Sequence, residues 1–253
     1  MKKIFKYIEY FQTKIIRKFK NRIYKFDDIN LNYMFYKEKK SKNLVIVFSA
    51  CTREGVKARY NYVRTLKNIK INKLFILDDF GCDKRGEYYL GEAPKYNVEN
   101  AVKSLIDKYK NKYNRIYFIG SSKGGFAALN FGFKYDNSII IIGAPQFYLG
   151  NYLSDTPNIL TYRSMKLDEK EVNFLNKKII NEILNKKKNI KVYLHYSNQE
   201  HTYKDHVKDL IKELKKNNVF LEEDIANYKE HSDVSLYFPK YLKNVLISEE
   251  KND

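Results

Sequence analysis

The chain has no tryptophan, only two cysteines and four histidines, and no apolar run approaching the ~20 residues of a membrane span. The missing tryptophan excludes little, because 23 tyrosines and 16 phenylalanines supply the aromatic volume. Cys51 and Cys82 are too few for a disulfide framework and are not spaced as metal ligands, so a reducing compartment fits and no metal is expected. No stretch rich in Pro, Gly or Ser divides the 253 residues, and 43% hydrophobic composition allows one substantial core. Neither the G-x-x-x-x-G-K-[ST] order of a phosphate loop nor the G-x-G-x-x-G of a dinucleotide site is present.

What is abundant is positive charge. Lys and Arg number 48 against 30 Asp and Glu, a net charge of +18. The lysines are scattered through every segment, alongside much Asn, Ile and Tyr, as an AT-rich coding bias would give. No RNA-recognition signature, Cys/His finger or basic zipper accompanies them, so no nucleic-acid partner is expected. The N-terminal MKKIFKYIEYFQTKIIRKFKNRIYK is too interrupted by charge for a signal peptide, which points to a cytoplasmic protein. Within it Ile4, Ile8, Phe11, Ile15, Phe19 and Ile23 recur at helical spacing. Residues 1–24 are therefore expected to form a basic amphipathic helix, docked on the main domain or a partner, or lying on the inner face of an anionic membrane.

The remaining residues, 25–253, read as one α/β domain. Alternation around a DDIN turn at 24–36 predicts an edge hairpin. Continuous apolar runs at 44–50, 73–79, 115–121, 138–144 and 191–197 predict strands buried on both faces, and a short run at 219–223 predicts a last strand. Helical patterns fall at 54–67, 97–111, 124–134, 169–187 and 204–216, and PKYLKNVLI closes the chain. Such alternation implies a mostly parallel central sheet with helices on both faces. The irregular stretch 145–164 breaks the alternation and is expected to be a cover segment.

In such sheets chemistry gathers where the strands end. The run at 115–121 leads into GSSKGG, which satisfies G-x-S-x-G with Ser122 at the centre. The central serine sits on a turn so sharp that its hydroxyl clears the sheet, at a helix N-terminus that favours negative charge. The Lys123 N–H is one candidate oxyanion donor; the FSACTREG loop offers Ala50 or Cys51 as the other. Ser121, off-centre, is structural, and Cys51 is read as inert buried packing apart from its N–H.

A serine needs a base, and a base needs an acid to orient it. His195 lies within a strand, His201 and His206 flank the following loop, and His231 follows the last strand, where this architecture places the base. Glu200 is the first carboxylate beyond the preceding strand, with Asp205 the alternative acid. Asp78 and Asp79 end another strand and either line a substrate rim or cap and turn their loop.

With those residues placed, the sequence resembles the α/β-hydrolases. More narrowly it is similar to the acetyltransferase-like proteins of the bacterial accessory Sec system and related capsule and surface-polysaccharide proteins. The similarity rests on LVIVFSA, FILDDFG followed by YYLGE, FIGSSKGGFAALNFGFKY, and HYSNQEHTYKDH with a later histidine, over roughly residues 44–245. It implies a serine acyltransferase or esterase with Ser122, Glu200 and His231 as its triad, acting on carbohydrate-linked acyl groups. It also implies an acyl donor such as acetyl-CoA with no bound cofactor, a carbohydrate or glycoprotein acceptor, and a glycosyltransferase as partner. A noncatalytic partner of a glycosyltransferase and a general esterase or thioesterase are the alternatives.

Overall fold

The computed structural model describes residues 20–251, so the expected helix at 1–24 lies almost wholly outside the described residues. Its positions 22–24 do not join a helix, because β1 (Arg22–Phe26) begins there and pairs antiparallel with β2 (Ile29–Tyr36). Asp27, left-handed at φ 47°, makes the turn between them. The other strands are β3 (Asn43–Phe48), β4 (Asn72–Leu77), β5 (Arg115–Ser121), β6 (Ser138–Gly143), β7 (Lys191–Ser197) and β8 (Phe220–Ala226). The sheet order is β1-β2-β4-β3-β5-β6-β7-β8, parallel from β4 to β8. Strand order reverses between β3 and β5, and a crevice opens at such a switch point.

Side-chain alternation divides the core in two. Leu44, Ile46, Phe48, Ile116, Phe118, Ile140 and Ile142 point to one face, and Val45, Val47, Tyr117, Ile119, Ile139 and Ile141 to the other. Both sets are buried, which is why these strands read as unbroken apolar runs. The first face is covered by α1 (Asn97–Lys110), α2 (Lys123–Gly132), α5 (Glu169–Leu184) and α6 (Lys208–Lys216). The second is covered by α7 (Val234–Lys251) and by a turn-rich segment contributing Ala58, Tyr60, Tyr62, Leu66 and Ile71.

That segment corrects one expectation, since no helix forms over 54–67. Tyr62 is left-handed at φ 61°, and the backbone N–H of Ala58 bonds outward to Lys84 O at 2.8 Å. Burying three tyrosyl and alanyl side chains against the sheet overrides a helical pattern that Gly55 already weakens. The closing helix is longer than PKYLKNVLI, beginning at Val234 with Pro239 inside it. The carbonyl that Pro239 leaves without a donor is that of Ser235, an exposed residue that water can satisfy. The cover segment is not irregular: it folds as α3 (Leu149–Ser154), a 3-10 turn at Thr156–Asn158 and α4 (Ile159–Ser164).

Candidate active site

Gly120 stands one residue before the end of β5, where a Cβ would come within 2.1 Å of the Gly124 carbonyl oxygen. A Cβ on Gly124 would meet the Phe48 carbonyl oxygen at 2.7 Å. Both glycines are thus required for α2 to leave β5 this sharply and still touch β3. Ser122 sits between them at φ 51° and ψ −121°, a backbone conformation a non-glycine residue rarely adopts. The Ser122 N–H donates to Gly143 O at 2.9 Å and its carbonyl accepts from Phe126 N at 3.0 Å, which holds the strained turn.

The Ser122 hydroxyl lies 2.9 Å from His231 Nε2, and His231 Nδ1 lies 2.8 Å from Glu200 Oε2. Three segments that are distant in sequence converge here: the β5–α2 turn, the loop after β7 and the 3-10 turn at His231–Asp233. Glu200 is 2% exposed, whereas His231 keeps an opening to solvent. With Nδ1–H donating to the Glu200 carboxylate, Nε2 is free to accept the Ser122 proton. Gln146 is buried just beyond β6 and donates from Nε2 to Ser122 Oγ at 3.1 Å. Sequence reasoning overlooked it, although its place after the carboxyl end of a central strand could have marked it.

The other candidates are distributed as follows. Asp205 is exposed on a π-helical turn, Tyr203–Val207, so Glu200 is the carboxylate against His231. Ser121 is buried with its hydroxyl on that of Tyr62. The Ala50 N–H is taken by Asn61 Oδ1 at 2.9 Å, which leaves Cys51 as the candidate donor on that loop. Cys51 is not buried packing: it is exposed, with its sulfur 3.3 Å from Arg85 Nη2. His195 is a core residue bonded to Asp224 Oδ2 at 2.6 Å, with its ring against Tyr228 and Phe238. His206 is buried and not on the surface, and its Nδ1 accepts the Tyr148 N–H at 3.3 Å. Burial pushes the His206 imidazole down to about 4, so it is neutral near pH 7.

Asp78 does not reach a substrate rim. It is fully buried and accepts from Lys123 Nζ at 2.9 Å and from the Glu87 and Tyr89 N–H groups at 3.0 and 3.1 Å. Lys123 is equally buried, and its remaining protons go to the carbonyls of Asp78 and Arg85 at 3.2 and 2.7 Å. This satisfied pair ties the start of α2 to the loop after β4. Asp79 is engaged by the Asn32 amide at 3.1 Å.

Next to this pair, burial pushes the Glu87 carboxyl up to about 7, against the opposing pull of the Ser164 hydroxyl that donates to it at 2.6 Å. A carboxyl raised in the folded state stabilises the fold below its unfolded pKa and loses that contribution as pH rises through the folded value. The neutral isostere Glu87→Gln is therefore expected to gain about 1–3 kcal/mol on the natural protein between pH 5 and pH 8. Urea unfolding at the two pH values checks it, and equal offsets at both would refute it.

Among the described residues, no group of three or more His, Cys, Asp or Glu is placed to hold a metal ion, and no helix is long and apolar enough to cross a membrane. No family model and no curated protein sequence matches the chain, and similarity is carried by structure. The capsule O-acetyltransferase of Neisseria meningitidis serogroup A superposes with a TM-score of 0.72 at 20% identity, over 88% of this chain and 93% of that one. A variant of that enzyme, solved in complex with CoA, gives 0.71 at 17% identity, over 89% and 94%. The Glycosylation Associate Protein (Gap123) complex from Streptococcus agalactiae gives 0.61 at 19%, over 90% of this chain and 46% of that one. The serine hydrolase FphF from Staphylococcus aureus gives 0.60 at 15%, over 90% and 96%. The fold is that of the α/β-hydrolases.

Proposed function

We propose that this protein is a serine-dependent acyltransferase that moves an acyl group, acetyl in the first instance, from a thioester donor to a carbohydrate hydroxyl. The observation that carries it is the unbroken chain from Ser122 through His231 to Glu200 on a strained strand-to-helix turn. Ser122 Oγ attacks the thioester carbonyl while His231 Nε2 takes its proton. The N–H of Lys123, which heads α2 without an intrahelical acceptor, and that of Cys51 receive the oxyanion. Collapse expels the thiolate, which takes the proton from His231, and acyl-Ser122 remains. An acceptor hydroxyl then gives its proton to His231 as it attacks the acyl carbon, and Ser122 is restored.

The surface beside the oxyanion loop suits an anionic donor such as acetyl-CoA. Exposed Arg53, Lys57 and Lys84 flank it, and Arg85 Nε staples the two loops by donating to Thr52 O at 2.8 Å. The structural likeness to a capsule O-acetyltransferase, one form of which holds CoA, supports the same reading. Surface-polysaccharide or glycoprotein synthesis at the cytoplasmic side is the setting it implies, with a glycosyltransferase as natural companion.

Purified protein incubated with acetyl-CoA and a panel of bacterial polysaccharides is expected to release free thiol and leave O-acetyl esters on the glycan. Acetate in place of glycan ester would make it an esterase or thioesterase. The likeness to the Gap123 complex favours one rival, a noncatalytic partner of a glycosyltransferase. No thiol release with any donor, together with capture of a glycosyltransferase, would establish that rival.

A further inference from the structure

A groove of about 670 Å³ opens beside the triad, between the cover segment and the turn that follows Glu200. The cover contributes Tyr152, Asp155 and Asn158; the turn contributes His201, Asp205 and His206. The His201 ring centroid is 5.8 Å from that of His231, so the groove begins one side chain from the base. One short segment therefore supplies both the acid of the triad and a wall of the groove.

The key group is His206. It is 4% exposed, and because its Nδ1 accepts from the Tyr148 backbone, the neutral ring carries its proton on Nε2. Nε2 has no protein partner among the described residues, and the residue lines the groove. A donor left open at the wall of a groove is available to a group that enters the groove and accepts from it. Around it stand acceptors of the opposite sense, the exposed carboxylates of Asp155 and Asp205, with Asn158, whose Nδ2 donates to Tyr152 O at 2.8 Å, beside them. Tyr152, edge-on to the His206 ring with centroids 5.7 Å apart, adds an aromatic wall.

We propose that this groove is the acceptor subsite and takes a neutral, hydroxyl-rich carbohydrate. A sugar hydroxyl donates and accepts at once, so it can give its proton to Asp205 or Asp155 while accepting from His206 Nε2–H. Tyr152 offers an apolar surface to a sugar ring. A phosphate-bearing donor is disfavoured here, because two carboxylates line the groove while the exposed cations Arg53, Lys57 and Lys84 lie on the oxyanion-loop side. The word acceptor rests on the acyl-transfer reading, whereas sugar binding by the groove does not.

The test uses the full chain carrying Ser122→Ala, so that binding is read without turnover. Saturation-transfer NMR and calorimetry are run with glucose, galactose and N-acetylglucosamine oligosaccharides and, separately, with coenzyme A. At least one sugar is expected to bind, and adding Asp205→Asn or His206→Asn is expected to weaken it tenfold or more. Asparagine at 206 can still accept from Tyr148 but does not place a donor at Nε2, and exposed Asp205 supplies the answer if the buried variant fails to fold. Sugar binding unaffected by Asp205→Asn, no binding by any sugar, or loss of coenzyme A in its place would overturn the assignment. Acylation of Ser122 by p-nitrophenyl acetate in the unmodified protein reads the serine's role independently. If the serine is not acylated but sugars bind, acyl transfer fails and the groove stands.

Discussion

Replacing His231 with alanine is expected to slow acylation of Ser122 by about 10,000-fold or more, and Ser122→Ala to remove the covalent intermediate altogether. The size of the effect follows from the geometry. Without Nε2 at 2.9 Å, the serine proton has no base within reach, although the strained turn and the head of α2 remain. Glu200→Gln is expected to cost nearly as much, because an amide in place of the carboxylate can turn its N–H toward Nδ1 and favour the wrong tautomer. The double variant His231→Ala/Glu200→Gln should be no slower than His231→Ala alone, since the carboxylate acts only through the imidazole. Single-turnover release of p-nitrophenol measures all three, and additive losses would show that Glu200 acts by another route.

The second large effect is on stability. Lys123→Ala leaves Asp78 fully buried without its counter-ion and is expected to cost about 3–5 kcal/mol in chemical unfolding. Lys123→Met combined with Asp78→Asn removes both charges and should recover part of that loss, while the Glu87 and Tyr89 N–H groups compete for one remaining carbonyl oxygen. If the double variant were as unstable as Lys123→Ala, the pair's contribution would lie in packing and not in charge. The loss would matter for activity because Lys123 is the residue after Ser122, the proposed nucleophile. Its side chain anchors the turn that its own N–H shares with the reacting centre.

Much of this was legible in the sequence for a simple reason. Strands buried on both faces leave unbroken apolar runs, and the turn at GSSKGG has so little room that only glycine fits at 120 and 124. His231 could be favoured over His195 because a histidine inside a buried strand is most economically explained as packing, as the Asp224 bond and the surrounding rings bear out. What periodicity concealed was tertiary. The pattern at 54–67 has helical spacing, but its tyrosines are drawn singly onto the sheet face, and no local signal distinguishes the two outcomes. A histidine beside a loop and at the start of a helix, as His206 is, has a surface position as its default, yet the π-helical turn carries it inward. Asp78 and Lys123 are each polar residues at the carboxyl ends of strands, where substrate contacts are expected; only the fold shows that they are bonded to each other.

If His231 makes Ser122 a nucleophile, brief treatment with a fluorophosphonate followed by peptide mapping by mass spectrometry will reveal it. A single adduct on Ser122 is expected, absent in Ser122→Ala and slowed by orders of magnitude in His231→Ala. An unlabelled protein, an adduct on Ser121, or labelling of Ser122 at the same rate without His231 would contradict it.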